Sequence, residues 1–178
     1  MSDRDRLRSL VQAHGTAVAA YLRRRLMSLP ASDLDDLVEE TFVVAWRRLD
    51  AVPEGDLERP WLIGVARNVL HNAQRTERRR QHYSSELVRS SDLRRSMDSA
   101  EDEAVSLLTI TDALATLTEH DRELLTLHYW DGIGVDQLSL VLRANRNAVA
   151  TRLSRAKSKF LQALGDIERR NSMSSTDK

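Results

Sequence analysis

Apolar side chains recur at intervals of three and four along most of this chain, and no other feature limits its fold as strongly. In residues 3–27 they are Leu7, Leu10, Val11, Val18, Tyr21, Leu22 and Leu26. That spacing gathers them on one face of an α-helix. The same pattern returns in later segments, and only six Gly and three Pro interrupt 178 residues. The expected fold class is all-α: two small helical domains joined by a flexible linker, the second containing a helix-turn-helix.

The first helix has Asp3 and Asp5 near its start and Arg23, Arg24 and Arg25 near its end, which suits the helix dipole. Leu29-Pro30 ends it. Ser32 is expected to cap a second helix with Asp35 and Asp36 in its first turn. The inward stripe there is Leu34, Leu37, Val38, Thr41, Phe42, Ala45 and Leu49. Residues 51–59 form a loop, and Pro60 suits the first turn of a third helix. Its stripe runs through Trp61, Leu62, Val65, Ala66, Val69, Leu70 and Ala73, and it ends in Arg78, Arg79 and Arg80. These three helices make a first domain, residues 3–82. Residues 83–101, with little apolar periodicity, are expected to be a linker.

The second domain is placed at residues 102–165. Val105, Leu108, Ile110, Ala113, Leu114 and Leu117 mark its first helix. Thr118 caps the next, with Asp121 in a capping-box-like position. Asp131-Gly132 stops that helix. Residues 135–160 then form a short amphipathic helix, a sharp turn at Arg143-Ala144, and a longer helix capped by Asn145. The inward stripe of the longer helix is Val149, Leu153, Ala156 and Phe160. Arg143, Arg146, Arg152, Arg155, Lys157 and Lys159 follow one another with no acid between them. A helix-turn-helix whose second helix meets DNA has this form. Residues 166–178 are expected to be a disordered tail.

The 27 basic and 27 acidic side chains cancel, so net charge does not point to nucleic acid. Their distribution is uneven. Residues 33–58 are strongly acidic and residues 59–80 strongly basic, a pattern suited to a polyanionic partner and a separate basic one. The absence of cysteine excludes disulfides and thiolate metal sites. His14, His71, His82, His120 and His128 form no acid–base or metal constellation, so no catalytic residue, metal or cofactor is expected. The opening MSDRDRLRSLVQ holds no long apolar run. No signal peptide or membrane insertion is expected, and the location is expected to be cytoplasmic.

Two stretches in one order carry a resemblance. The first domain contains DLDDLVEETFVVAWRRL followed by RPWLIGVARNVLHNAQRTERRR. The second contains ALATLTEHDRELLTLHYWDGIGVDQLSLVLRANRNAVATRLSRAKSKFLQAL. Together they resemble the extracytoplasmic-function (ECF) sigma factors of bacterial RNA polymerase, in the sigma-70 family. The resemblance implies a region 2-like first domain that docks core polymerase on a beta-prime coiled coil through Asp35, Asp36, Val38, Glu39, Glu40, Thr41, Phe42 and Trp46. It implies that residues 51–58 hold a base extruded from the minus-ten element, with Arg67, Asn68, Arg75, Arg78, Arg79 and Arg80 along the strand. It also implies a region 4-like second domain that meets the beta flap and reads the minus-thirty-five element. The residues implied there are Asn145, Arg146, Asn147, Ala150, Thr151, Arg152 and Arg155.

Promoter DNA, core polymerase and an anti-sigma factor are the implied partners. The chain departs from the family pattern at Arg143, where Gly is usual, at Ala148-Val149-Ala150, where Thr-Val-Lys is frequent, and at Asn72, where an acid is usual; with Arg143 the turn is expected to take a left-handed conformation at some cost. The alternatives are a dimeric helix-turn-helix regulator acting without polymerase docking and a helical interaction module. The first leaves the acidic helix idle.

Overall fold

A computed structural model describes residues 2–26, 29–84 and 101–175, and all regular structure among them is helical. Helices α1 (Asp3–Arg23), α2 (Asp33–Arg47) and α3 (Glu58–Ser84) belong to one compact unit. Helices α4 (Glu101–Ala115), α5 (Glu119–Tyr129), α6 (Val135–Leu142) and α7 (Arg146–Ser175) follow, and a second unit is built around α4, α5 and α7. The all-α, two-domain architecture is therefore as expected. The expected linker lies mostly outside the described residues, and α3 continues through Tyr83 and Ser84, past the expected boundary at residue 82.

In the first unit each helix packs on the other two. Leu10, Val18, Tyr21 and Leu22 from α1 meet a core that includes Leu37, Phe42 and Ala45 from α2 and Leu62, Ala66, Val69 and Leu70 from α3. Removing each large side chain of this set from water contributes about 1.5–3 kcal/mol. Thr41 is fully buried, and its hydroxyl donates to the Leu37 carbonyl at 2.7 Å, so its polar atom is not left stranded. Ser2 caps α1 by accepting from the Asp5 N–H at 3.2 Å.

Two expectations are corrected here. The first helix stops at Arg23 rather than near residue 27, because the chain tightens there. Arg25 donates its N–H to Leu22 O at 2.9 Å, and its guanidinium lies 4.0 Å from the centre of the Tyr21 ring. Ser32 stands at the start of α2 but makes no capping bond. Its own backbone is already helical (φ −61°, ψ −24°), which aims the hydroxyl at the Asp33 carboxylate, 3.1 Å away.

The second unit is organised on α7, which packs against both α4 and α5. Val149, Leu153 and Ala156 are its buried line, as expected. The Thr118 hydroxyl accepts from the Asp121 N–H at 3.2 Å, the expected cap of α5. Arg122 closes the preceding helix end. Its guanidinium donates to the carbonyls of Leu114 (2.9 Å), Ala115 (3.1 Å) and Leu117 (3.2 Å), where the dipole of α4 is negative.

The inner line of α4 departs from expectation at one place. Ala113 and Leu117 are buried as expected, but Thr109 is buried in place of Leu108, which is 62 % exposed. The expected tail is also corrected, because α7 runs on to Ser175. Ile167 is buried, an Asp166–Arg169 ion pair lies one turn apart, and the Ser172 hydroxyl donates to Glu168 O at 2.9 Å. Those contacts carry the helix beyond residue 166.

Two turns that follow α5 and α6 reverse through left-handed residues. Gly132 (φ +65°) stands three residues beyond the end of α5, and the Ile133 N–H reaches back to Leu127 O at 3.0 Å. Arg143 (φ +50°) ends α6, with Arg143 N–H on Leu140 O at 3.3 Å and Ala144 N–H on Ser139 O at 3.0 Å. The second is a helix stop of the Schellman type. A side chain in that conformation costs about 1–2 kcal/mol that Gly escapes.

A hydrogen bond from Lys159 to Asp121 Oδ2 at 2.6 Å ties α7 to α5 and lowers the Asp121 pKa from its usual 3.8 against the opposing effect of burial. A lowered folded-state pKa means that this contribution is fully present above about pH 3.8. It is lost as pH falls through the lowered value. Lys159→Ala is expected to destabilise the chain by under about 1 kcal/mol at neutral pH, since Lys159 is exposed. Denaturant titrations from pH 6 to pH 3 check this, and the gap between variant and native chain should narrow as the pH falls.

Candidate functional site

On the first unit, α1 and α2 leave an open groove of about 800 Å³ between them. Its apolar lining is Leu7, Val11, Val38, Phe42, Val43 and Trp46, and Arg4, Arg8, Asp35 and Glu39 stand among them. Val11, Val43 and Trp46 are 42 %, 37 % and 41 % exposed, an unusual amount of adjoining apolar surface for a helix pair. The burial of Leu37, Thr41 and Ala45 sets the rotation of α2, which turns Asp35, Asp36, Glu39 and Glu40 to solvent. Of the expected docking residues, Asp35, Val38, Glu39, Phe42 and Trp46 line the groove. Phe42 is buried beneath it, whereas Trp46 is exposed and so is not a core residue. The α1 wall was not found from the sequence. Its only sign was Val11, an apolar residue on the edge of the α1 stripe.

The connection between α2 and α3 contains single 3₁₀ turns at Leu49–Ala51 and Gly55–Leu57. Its position is set from α1. Arg6 donates to Val52 O at 3.1 Å and Pro53 O at 3.4 Å, with Glu58 Oε1 3.8 Å and Glu54 Oε1 3.7 Å from the same guanidinium. His14 Nε2 lies 3.0 Å from Glu58 Oε2, so this α1 histidine has a partner on α3. A single α1 cation thus binds two loop carbonyls and two loop-end carboxylates, and nothing in the local sequence of the loop reveals it.

Beyond the core, α3 becomes a basic rod. Asn68, Arg75 and Arg79 lie seven and four residues apart and share one stripe, while Arg67 and Arg78 share a neighbouring one. Asn68, Arg75, Arg78, Arg79 and Arg80 are exposed and Arg67 is half-buried.

In the second unit the Asn145 side chain accepts from the Asn147 N–H at 2.9 Å, which starts α7 as expected. Burial of Val149, Leu153 and Ala156 leaves Asn147, Thr151 and Ser154 on the opposite face. Arg152 and Arg155 are exposed beside that face and Ala150 is half-buried. The run of cations is not uniform in space. Arg146 forms an ion pair with Asp136 on α6, and Lys159 one with Asp121 on α5. Arg143, Arg152, Arg155 and Lys157 meet no acid among the described residues. Among those residues no group of three or more His, Cys, Asp or Glu could hold a metal ion, and no helix is long and apolar enough to cross a membrane.

The two modules have known counterparts. The family model for sigma-70 region 2 matches residues 10–80, and that for sigma-70 region 4 matches residues 107–160. In this order in one chain, they define the sigma-70 class of transcription initiation factors. RNA polymerase sigma factor CnrH of Cupriavidus metallidurans is 31% identical over 169 residues, which span 89% of this chain and 86% of that one. The ECF RNA polymerase sigma factor SigL of Mycobacterium tuberculosis is 30% identical over 165 residues, 89% of this chain and 90% of its own. The solved structure of CnrH in complex with the cytosolic domain of CnrY superposes with a TM-score of 0.59 at 26% identity, covering 90% of this chain and 88% of that one. The co-crystal structure of the sigma factor RpoE with the anti-sigma factor NepR from Bartonella quintana shares the fold, with a TM-score of 0.63 at 21% identity over 89% and 96% of the two chains. The chain belongs to the ECF RNA polymerase sigma factors. Members of this family are initiation factors and not enzymes.

Arg6→Ala should release the loop. Hydrogen exchange at the amides of residues 52–58 is expected to speed up, with a stability decrease of about 1.5–3 kcal/mol for charge-assisted bonds. Exchange mass spectrometry and melting curves measure the two effects.

Proposed function

We propose that this chain binds core RNA polymerase through α2 and the groove it shares with α1, and directs it to promoters with minus-thirty-five and minus-ten elements. The observation that carries the reading is the groove itself. Its floor is apolar and its α2 edge is acidic, a chemistry that fits an amphipathic coiled-coil partner with basic flanks. Asp35, Asp36, Val38, Glu39, Glu40, Phe42 and Trp46 are the proposed docking residues, joined by Val11; Thr41 is fully buried and is not among them. The beta flap is assigned to the second unit. A dimeric regulator acting without polymerase would leave this groove without a purpose.

For promoter contact, the proposed minus-ten reader is residues 51–58 with Arg67, Asn68, Arg75, Arg78, Arg79 and Arg80. Strand separation needs a pocket for an unstacked base and cations that follow the single strand. A loop held by Arg6 beside a basic helix supplies both kinds of group. The proposed minus-thirty-five reader is the start of α7. Asn145, Arg146, Asn147, Ala150, Thr151, Arg152 and Arg155 are assigned to it, the arginines to phosphates and Asn147 and Thr151 to base edges. Arg146 is shared with Asp136, so its phosphate contact requires that ion pair to open. The region 2-like and region 4-like domains go with these roles. Control by an anti-sigma factor that covers the polymerase- or DNA-binding faces, in the cytoplasm, completes the proposal. CnrH, a relative, was solved in complex with the cytosolic domain of CnrY.

Asp36→Lys with Glu39→Lys is expected to weaken copurification with core polymerase by at least about tenfold, since like charges then face each other. The helical circular dichroism should be unchanged, as both side chains are exposed. Retained copurification overturns the docking face. Arg152→Ala with Arg155→Ala is expected to weaken holoenzyme binding at promoters mapped by in vitro transcription. The log–log salt dependence should become shallower by about one for each phosphate that is no longer neutralised.

A further inference from the structure

Three residues among those described have left-handed backbones: Gly55, Gly132 and Arg143. Two are glycines, for which the conformation is free of steric cost. Arg143 is the exception. It stands one place beyond α6 and lets the Ala144 N–H return to Ser139 O at 3.0 Å, a stop that glycine commonly fills. The chain therefore carries a long cationic side chain where glycine is free of strain. That choice stores strain, and nothing described in the free protein offsets it. The Arg143 side chain is exposed and makes no hydrogen bond or ion pair among the described residues. Arg146, three residues on, does have a partner in Asp136. Strain held by surrounding bonds and left without a local return points to an interaction made in another state.

The position of Arg143 says which interaction. It sits in the turn of the helix-turn-helix, two residues before the Asn145 cap of α7. A guanidinium there projects ahead of the helix assigned to the major groove, where the sugar–phosphate backbone passes. We infer that Arg143 is a DNA-backbone clamp: its guanidinium binds a phosphodiester flanking the minus-thirty-five element, and this bond maintains an arginine where the turn favours glycine. The clamp is sequence-independent, as phosphate contacts are. It strengthens upstream binding where Arg146 is occupied by Asp136. The inference rests on the reading that α6 and α7 meet promoter DNA.

The test uses holoenzyme assembled with the full chain and a promoter duplex mapped by in vitro transcription, titrated between about 50 and 200 mM salt. Arg143→Gly is expected to melt at a higher temperature than the native chain yet bind DNA more weakly. Its log–log salt slope should be shallower by about one, so that the native advantage shrinks about 3.5-fold across that range. The weakening should be uniform across base changes in the element. Arg143→Asn, which tolerates the left-handed turn without a charge, should bind like Arg143→Gly, and Arg143→Lys should keep the native slope. Native affinity and slope in Arg143→Gly overturn the clamp. If Arg152→Ala with Arg155→Ala still weakens binding in that event, only the Arg143 assignment fails. If neither variant changes binding, the DNA reading of α6 and α7 fails with it.

Discussion

Each unit of this chain is only one helix layer deep around its core, and that constraint governs everything else. The helices α2 and α7 each bury one stripe, and once the stripe is buried every other side chain on them has a set direction. On α7 the buried line Val149–Leu153–Ala156 leaves Asn147, Thr151 and Ser154 facing out, with Arg152 and Arg155 at their side. On α2 the line Leu37–Thr41–Ala45 leaves a row of acids in water and Trp46 at the lip of a groove. Charged groups cannot enter so thin a core unpaired, so the partner-facing surfaces are the direct complement of the packing.

The zero net charge is the sum of separated fields. Acids dominate α2, cations dominate the distal half of α3 and the start of α7, and each field fits a partner of opposite sign. Within the fold a few charges have a structural task instead. Arg6 holds the loop after α2, Arg122 closes the end of α4, and Lys159 joins α7 to α5. Burial and partners separate these from the binding cations. Arg6 has only 18% of its side chain exposed and several oxygens around it, whereas Arg152 and Arg155 are exposed with no acid nearby among the described residues.

Much of the site was legible in the chain because the helix period and the cap chemistry are local. Thr118 and Asn145 each make the expected capping bond, and the buried stripes of α2, α3 and α7 fall largely on the expected residues. The errors share one cause, which is that neighbours in space override local preference. Ser32 lacks its capping bond because its backbone is already helical, and α4 buries Thr109 rather than Leu108 because its neighbours, not its hydropathy, set the phase. The end of α7 is kept helical by Ile167 and by pairs one turn apart, where composition suggested a tail.

What the sequence by itself determined is therefore the set of helices, their inward faces and the order of two modules that places the chain among the ECF sigma factors. Those depend on spacing along one segment, which a linear pattern records. Tertiary structure alone decided which charges are engaged and what stands beside what. The α1 wall of the groove, the grip of Arg6 on residues 52 and 53, and the pairing of Arg146 with Asp136 join residues from different elements. The left-handed backbone of Arg143 belongs to both accounts. The chain shows an arginine at a turn that calls for a left-handed residue, and the path of the backbone has Arg143 in that conformation, at φ +50°.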